Sequence, residues 1–303
     1  MALCGISRCG RLHQRGLFSC VAVVLALSPI RLSAAQLHAV AEWKAETVAG
    51  DTLPDQSGQG NNALLHAVTP MLRVQDLVDH PCLYFNGAGA HGIVANHPSL
   101  NPGAVSVRVW FKVEEGQVSA QVPLLVKSLP VHREPWYQYG LFLIDLPESP
   151  QGVCWHVGAE IKEKHAAALD LDFYSRWTCA AATYDGRFLR VYINGEEKAV
   201  QESPEGTLDR QDTPLLLGAY VNLPKDRGNT FEGYLSQAAV YDRALDAGEV
   251  RALYEGERGG YPDSRVEREQ DKSEYVQRLN AALREGRDVL GEEVLKKIGR
   301  AHV

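Results

Sequence analysis

Three stretches hold residues whose types and spacing could do chemistry. His132–Tyr139 (HREPWYQY) sets Trp136, Tyr137 and Tyr139 among polar neighbours. Aromatic rings stack on the apolar faces of sugars while adjacent polar groups bond hydroxyls, so this stretch is the best candidate for a carbohydrate contact. The competing reading sends Tyr139 into a strand and the core, with Trp136 only capping a loop. Asp51–Asn62 is rich in Asp, Gly, Gln and Asn. Hard cations take clustered carboxylate, amide and backbone oxygens on a glycine-permissive turn, so Asp55 and Asn61 are the positions that could ligate calcium. The alternative is a turn whose glycines serve backbone geometry alone. Third is Asp170-Leu171-Asp172, the nearest approach to paired carboxylates. Retaining glycoside hydrolysis needs two carboxyl groups about 5–5.5 Å apart, and this pair lies in the loop leading to Trp177, where a solvated turn is expected.

Other catalytic signatures are missing. The chain has no Gly-x-Ser-x-Gly elbow, no phosphate loop, no H-x-x-x-H pair and no Cys/His spacing suited to zinc. Catalysis is therefore not expected, and the reading that remains is a binding module.

The elements that must position these residues read as strands. Around Trp177–Glu196 (WTCAAATYDGRFLRVYINGE), Asp185-Gly186 and Asn194-Gly195 are tight-turn signals between runs of period-2 alternation. Leu189, Val191 and Ile193 alternate with Arg190 and Tyr192, and Ala180, Ala182 and Tyr184 share a face. The expected unit is a three-stranded meander in which Asp185 and Gly186 both take positive φ. Val105, Val107, Val109, Phe111 and Val113 alternate with Ser106, Arg108, Trp110 and Lys112, giving a two-faced strand at the centre of the core. Further strands are expected near Leu37–Trp43, over Cys82–Phe85 paired with Gly92–Val94, and at Leu124–Lys127, Tyr139–Ile144 and Val153–Val157. Glu160-Ile161, Leu215–Gly218 and Gly233–Tyr241 complete the set, and Ala247–Glu255 reads as a short helix.

These residues carry a resemblance. The Trp177–Glu196 stretch, preceded by Asp55–Asn61, Tyr84–Gly87 and Val105–Val113 and followed by Phe231–Tyr241, Arg243-Ala244-Leu245 and Glu249–Tyr254, resembles the laminin-G-like branch of the concanavalin A-like lectin/glucanase superfamily over roughly residues 39–258. The resemblance implies an all-β fold, a concanavalin A-like jelly-roll sandwich of two antiparallel sheets with a short C-terminal α-helical appendage. It also implies that the Asp55 loop lies near a calcium ion, together with an aspartate in a late strand. Here Ser236 occupies that aspartate's position and Gln237 that of a following glutamate, which removes charge a cation would use. The glucanase pattern Glu-x-Asp-x-x-Glu is absent, in keeping with binding rather than hydrolysis.

Charge narrows the partners. The 303-residue chain carries a formal net charge of −7. Residues 1–35 contain four arginines and no acid, and the segment 264–303 is nearly neutral, so the middle of the chain is the acidic part. An acidic β-domain repels phosphate backbones, which argues against nucleic acid. Arg8, Arg11 and Arg15 precede the apolar run Leu17–Leu27, then Pro29 and Ser33-Ala34-Ala35. That is the layout of a secretory signal cleaved between Ala35 and Gln36, with an uncleaved anchor the lesser reading. Export to the extracellular space or periplasm is expected, with no membrane span after signal removal. Cys82, Cys154 and Cys179 would remain, permitting one disulfide among three pairings, or simply packing as small hydrophobes.

The expected layout is a signal peptide at 1–35, a β-sandwich domain at 36–261 and a charged helical tail at 262–303. The expected function is a secreted non-catalytic module holding a polysaccharide or glycoconjugate. The alternative is an extracellular protein-interaction or adhesion domain, and a glycan-active hydrolase or lyase ranks last.

Overall fold

The computed structural model describes residues 37–72, 80–118, 120–128, 134–146, 149–220 and 230–261. The signal peptide expected at 1–35 and the tail expected at 262–303 lie outside these residues. The chain divides into Met1–Arg31 and Leu32–Val303, and every described residue belongs to the second unit.

The strands in chain order are β1 (Ala41–Lys44), β2 (Thr52–Leu53), β3 (Ala63–His66), β4 (Thr69–Met71), β5 (Cys82–Asn86), β6 (His91–Val94), β7 (Val105–Lys112) and β8 (Ala120–Ser128), then β9 (Tyr137–Leu146), β10 (Ser149–Ala159), β11 (Lys162–Leu169), β12 (Thr178–Tyr184), β13 (Phe188–Ile193), β14 (Glu196–Glu202), β15 (Leu215–Leu217) and β16 (Glu232–Tyr241). They form two antiparallel sheets of eight. The first runs β14-β13-β12-β7-β16-β5-β4 with β1 also on β16, and the second runs β11-β10-β9-β8-β15-β6-β3-β2. This is the expected jelly-roll sandwich.

The core fills from the alternation visible in the sequence. Val105, Val107, Val109 and Phe111 of β7, with Ala180 and Ala182 of β12 and Leu189 and Val191 of β13, meet Leu141, Leu143, Val153, Trp155 and Val157 of the second sheet. All thirteen are essentially removed from water, and each large side chain so buried contributes on the order of 1.5–3 kcal/mol.

Three local expectations need correction. Cys82–Phe85 and Gly92–Val94 do not pair: β5 joins β16 in the first sheet, whereas β6 joins β15 and β3 in the second. The Asn86–Ala90 turn crosses between the sheets, with Asn86 Oδ1 accepting from the Ala88 and Ala90 amides. The Asp185-Gly186 turn is displaced by one residue. Its closing bond runs from Asp185 N to Phe188 O, so Gly186 (φ +99°) and Arg187 are the central pair, the glycine-first arrangement of a II′ hairpin. The doubly positive turn is instead Asn194-Gly195, at φ +51° and +78°. Finally, Glu160-Ile161 is not strand but the two-residue turn between β10 and β11, closed by the Ala159–Lys162 pair. Both residues take positive φ, unfavourable for a β-branched side chain. The Ile161 amide is held at 2.8 Å by Asp209 Oδ2.

The outer face of the first sheet is closed by the C-terminal helix α1 (Ala247–Glu257). Asp246 caps it in a reciprocal capping box with Glu249. Ser106, Arg108 and Trp110, the second face of β7, are all buried under this segment. Ser106 Oγ donates to Arg243 O and accepts from Leu245 N, both at 2.8 Å. Arg108 pairs with Glu257, whose other oxygen accepts from Trp110 Nε1 at 2.8 Å. The Trp110 ring stacks on Tyr261 at 3.7 Å and on Tyr254 at 5.7 Å between centroids.

Arg108 is 2% exposed, and without Glu257 it keeps only the longer pair with Glu42 at 3.6 Å. Glu257→Ala is expected to lower stability by about 2–4 kcal/mol in urea unfolding at neutral pH, whereas Arg187→Ala, which breaks an exposed pair with Glu202, is expected to leave the midpoint in place. A Glu257→Ala midpoint equal to wild type would show that α1 is not fixed through Arg108.

Candidate functional site

The outer face of the second sheet is built differently. Two glycines strip its backbone bare. A β-carbon on Gly140 would stand 2.6 Å from the Phe142 ring, and one on Gly158 would stand 2.2 Å from Tyr137 O and 2.8 Å from Pro135 Cβ. The Phe142 ring therefore folds down over β9, and the segment Pro135–Tyr137 crosses over β10. Only glycine permits either approach.

These approaches gather an aromatic cluster. Tyr137 lies 5.0 Å from Phe142, 5.6 Å from Tyr220 and 5.2 Å from His156 between ring centroids, and Val126 packs beneath. Tyr137 stays half-exposed, and burial beside Tyr220 and Glu163 pushes its phenol well above the usual range, so it meets a ligand as a neutral donor and acceptor. Polar groups border the rings. His156 lies opposite Gly140 on one side and His165 on the other. His165 is exposed, and Glu163 and Gln121 are half-exposed. Glu163 Oε1 accepts a hydrogen bond from His156 Nδ1 at 2.5 Å, while Gln121 Nε2 reaches His156 Nε2 at 2.7 Å. Phe142 and Tyr220 are buried beneath Tyr137, so the half-exposed Tyr137 ring, beside fixed donors and acceptors, is the one that can stack a sugar ring while the polar groups bond its hydroxyls.

Of the three aromatic residues singled out by sequence, one is in this cluster and one directly precedes it in the chain. Trp136 is half-buried just before β9, and Tyr137 sits within the cluster. Tyr139 does not. It is fully buried in the sandwich core, its hydroxyl donating to Leu100 O at 3.1 Å, because period-2 alternation resumes after Tyr137 and turns it inward. Phe142, His156, Glu163, His165 and Tyr220 were missed. The alternation of Val153, Trp155 and Val157 against Cys154 and His156 carried a signal for the face, but β11 was hidden behind a turn that lacks turn residues.

The Asp55 loop is organised by hydrogen bonds. Asp55 Oδ1 accepts from the amides of Glu42 and Ser57, both at 2.9 Å. Its Oδ2 accepts from Ser57 Oγ at 2.7 Å and the Asn61 amide at 3.0 Å. Asn61 is buried, with Nδ2 donating to Val40 O and Ser99 Oγ and its carbonyl accepting from Trp43 Nε1 at 2.7 Å. Burial alone would raise the Asp55 carboxyl, but these four donors outweigh it and hold the group below its ordinary value. Donors converge where a cation would need free lone pairs. Ser236, where the resemblance implied an aspartate, is buried and bonded to the Tyr261 hydroxyl at 3.1 Å. Among the described residues no cluster of three or more His, Cys, Asp or Glu could hold a metal. Asp55 and Asn61 do not fit a calcium ion; they tie β1 to the loop.

Cys82, Cys154 and Cys179 are buried, and none of the three disulfide pairings is formed among them.

Residues 86–251, more than half of the chain, match the Laminin G family model described as the concanavalin A-like lectin/glucanases superfamily. Pappalysin-1 of Homo sapiens is 23% identical over 177 residues, covering 55% of this chain and 11% of pappalysin-1. Among solved structures, the binding domain of Paraclostridial Mosquitocidal Protein 1 superposes with a TM-score of 0.54 at 17% identity, over 72% of this chain and 52% of that one. The binding domain of botulinum neurotoxin DC, solved in complex with SialylT, gives 0.54 at 12% identity, over 74% and 52%. Domain 4 of AbnA, a GH43 extracellular arabinanase from Geobacillus stearothermophilus solved with arabinotriose, gives 0.53 at 16% identity, over 72% of this chain and 98% of that domain. The chain thus spans about half the length of the toxin domains and about a tenth of pappalysin-1.

Two outcomes are expected for the Asp55 loop. Millimolar calcium leaves the melting temperature unchanged. Asp55→Asn costs about 2 kcal/mol at neutral pH. Because the folded carboxyl lies below its ordinary value of 3.8, its contribution is present above that pH and lost as pH falls through the folded value; Asp55→Asn therefore flattens the acid limb of stability. A calcium-dependent rise in melting temperature would contradict this account.

Proposed function

Because the chain belongs to the concanavalin A-like lectin/glucanases superfamily, we propose that it is a non-catalytic binding module for a polysaccharide or glycoconjugate, exported by its N-terminal signal. The observation that carries this reading is the outer face of the second sheet, where half-exposed Tyr137 rests on the buried rings of Phe142 and Tyr220 beside exposed His165 and half-exposed Glu163 and Gln121. Helix α1 covers part of the corresponding face of the first sheet, over β12, β13 and β16, which supports placing the ligand on the second sheet. Support comes from solved relatives of the same fold: the arabinanase domain was crystallised with arabinotriose and the toxin domain with SialylT. The second reading, an extracellular protein partner, is favoured by Leu64 and Leu169, exposed apolar residues near opposite edges of the same sheet.

The test is retention of the full chain on a glycan array and on immobilised polysaccharides. Tyr137→Ala and Trp136→Ala are each expected to weaken retention about tenfold, equivalent to ~1.4 kcal/mol, without lowering the cooperativity of unfolding. Tyr139→Phe loses one buried hydrogen bond, about 1 kcal/mol of stability, and keeps retention. Retention that survives Tyr137→Ala would move the site elsewhere, and absence of retention on a broad array would favour the protein partner.

A further inference from the structure

The same outer face carries a thiol, an imidazole and a carboxylate in series, and their arrangement does not depend on the carbohydrate reading. Cys154 and His156 are two residues apart on β10, so both face outward. Glu163 arrives from β11, opposite Gly158. His156 Nδ1 lies 2.5 Å from Glu163 Oε1, and Cys154 Sγ lies 3.0 Å from His156 Nε2. The carboxylate accepts only, so it fixes the proton on Nδ1 and leaves Nε2 as the acceptor, its lone pair shared between the thiol and the Gln121 amide. Gln121 Nε2 lies 2.7 Å from the same ring nitrogen. Its amide suits either state of the ring: it donates to a bare Nε2 and, turned over, accepts from a protonated one.

We infer that Cys154 is a base-assisted nucleophile, the thiol through which this chain reacts with small two-electron oxidants of the peroxide class. His156 Nε2 removes the thiol proton as sulfur attacks one peroxide oxygen and the O–O bond breaks. The departing oxygen takes the proton from Nε2 and leaves as water. Sulfur is oxidised by two electrons to the sulfenic acid and peroxide is reduced by two, so the thiol and peroxide give sulfenic acid and water. Glu163 is the positioning residue: it sets the tautomer and stabilises the transient imidazolium.

The base is what distinguishes this thiol. Burial pushes Cys154 up to about 12, so a free-standing thiolate is scarce and the proton must pass in contact. Cys179 is buried to the same effect, also at about 12, but its charged neighbours are Arg108 and Glu257, and neither can take up its proton as imidazole does. Cys154 retains 4% exposure against 2% for Cys179 and none for Cys82, a difference too small to sort the thiols by access alone.

The experiment treats the folded full chain with hydrogen peroxide, traps sulfenic acid with dimedone and reads each cysteine by peptide mass spectrometry. Cys154 is expected to be trapped at least about tenfold faster than Cys82 or Cys179, in line with general-base assistance. His156→Gln is expected to slow it at least about tenfold and to move its pH–rate profile upward. Glu163→Gln, on a half-exposed side chain, is expected to slow it several-fold, and it carries the test if His156→Gln does not fold. Trapping of Cys154 no faster than the other two overturns the inference. So does a wild-type rate in a variant that keeps the wild-type melting temperature, because access alone would then account for the reaction.

Discussion

A guanidinium buried to 2% exposure on the central strand of a sheet must be met by a counterion, and in this chain Glu257 of α1 supplies it. The same carboxylate takes the indole proton of Trp110, and Tyr254 and Tyr261 enclose that ring. Desolvating Arg108 is costly enough that the first sheet and its helix are stable only together. This pairing, with the longer one to Glu42, holds α1 against the first sheet. A hydrophobic β7 face would have allowed many helices to dock; a buried arginine admits one that carries an acid at the right turn.

The second sheet satisfies the opposite requirement. Gly140 and Gly158 remove side chains from its outer surface, and aromatic rings come down onto the bare backbone. The result is a shallow surface of rings and polar groups rather than a deep cavity. The Asp55 loop serves the fold by the same economy of hydrogen bonding: four protein donors satisfy its carboxylate, and the oxygen cage a hard cation requires does not form.

Much of the architecture was legible in the sequence because alternation reports burial directly. Val105–Phe111, Ala180–Tyr184 and Leu189–Ile193 read correctly as inward faces of one sheet. What alternation could not report was what covers the other face, so Ser106, Arg108 and Trp110 looked like an ordinary second face until α1 was seen upon them. Turns were legible where glycine and asparagine mark them, as at Asn194-Gly195, and illegible at Glu160-Ile161, where tertiary bonds to Asp209 hold a β-branched residue at positive φ. Losing that turn hid β11, and with it Glu163 and His165. For the candidate site, sequence found Trp136 and Tyr137 by composition but could not separate them from Tyr139, because a stretch of aromatics does not say which ring faces water.

The central claim is that ligands meet the outer face of the second sheet. The most direct measurement follows the backbone amide chemical shifts of the isotope-labelled full chain by NMR as a retained polysaccharide fragment is added. The account predicts that the perturbed amides cluster on β9, β10 and β11, around Tyr137, Gly140, His156 and His165, while those of β7 and α1 stay in place. Perturbation centred on α1, or on the loop from Gln56 to Asn62, with β9–β11 unchanged, would contradict it.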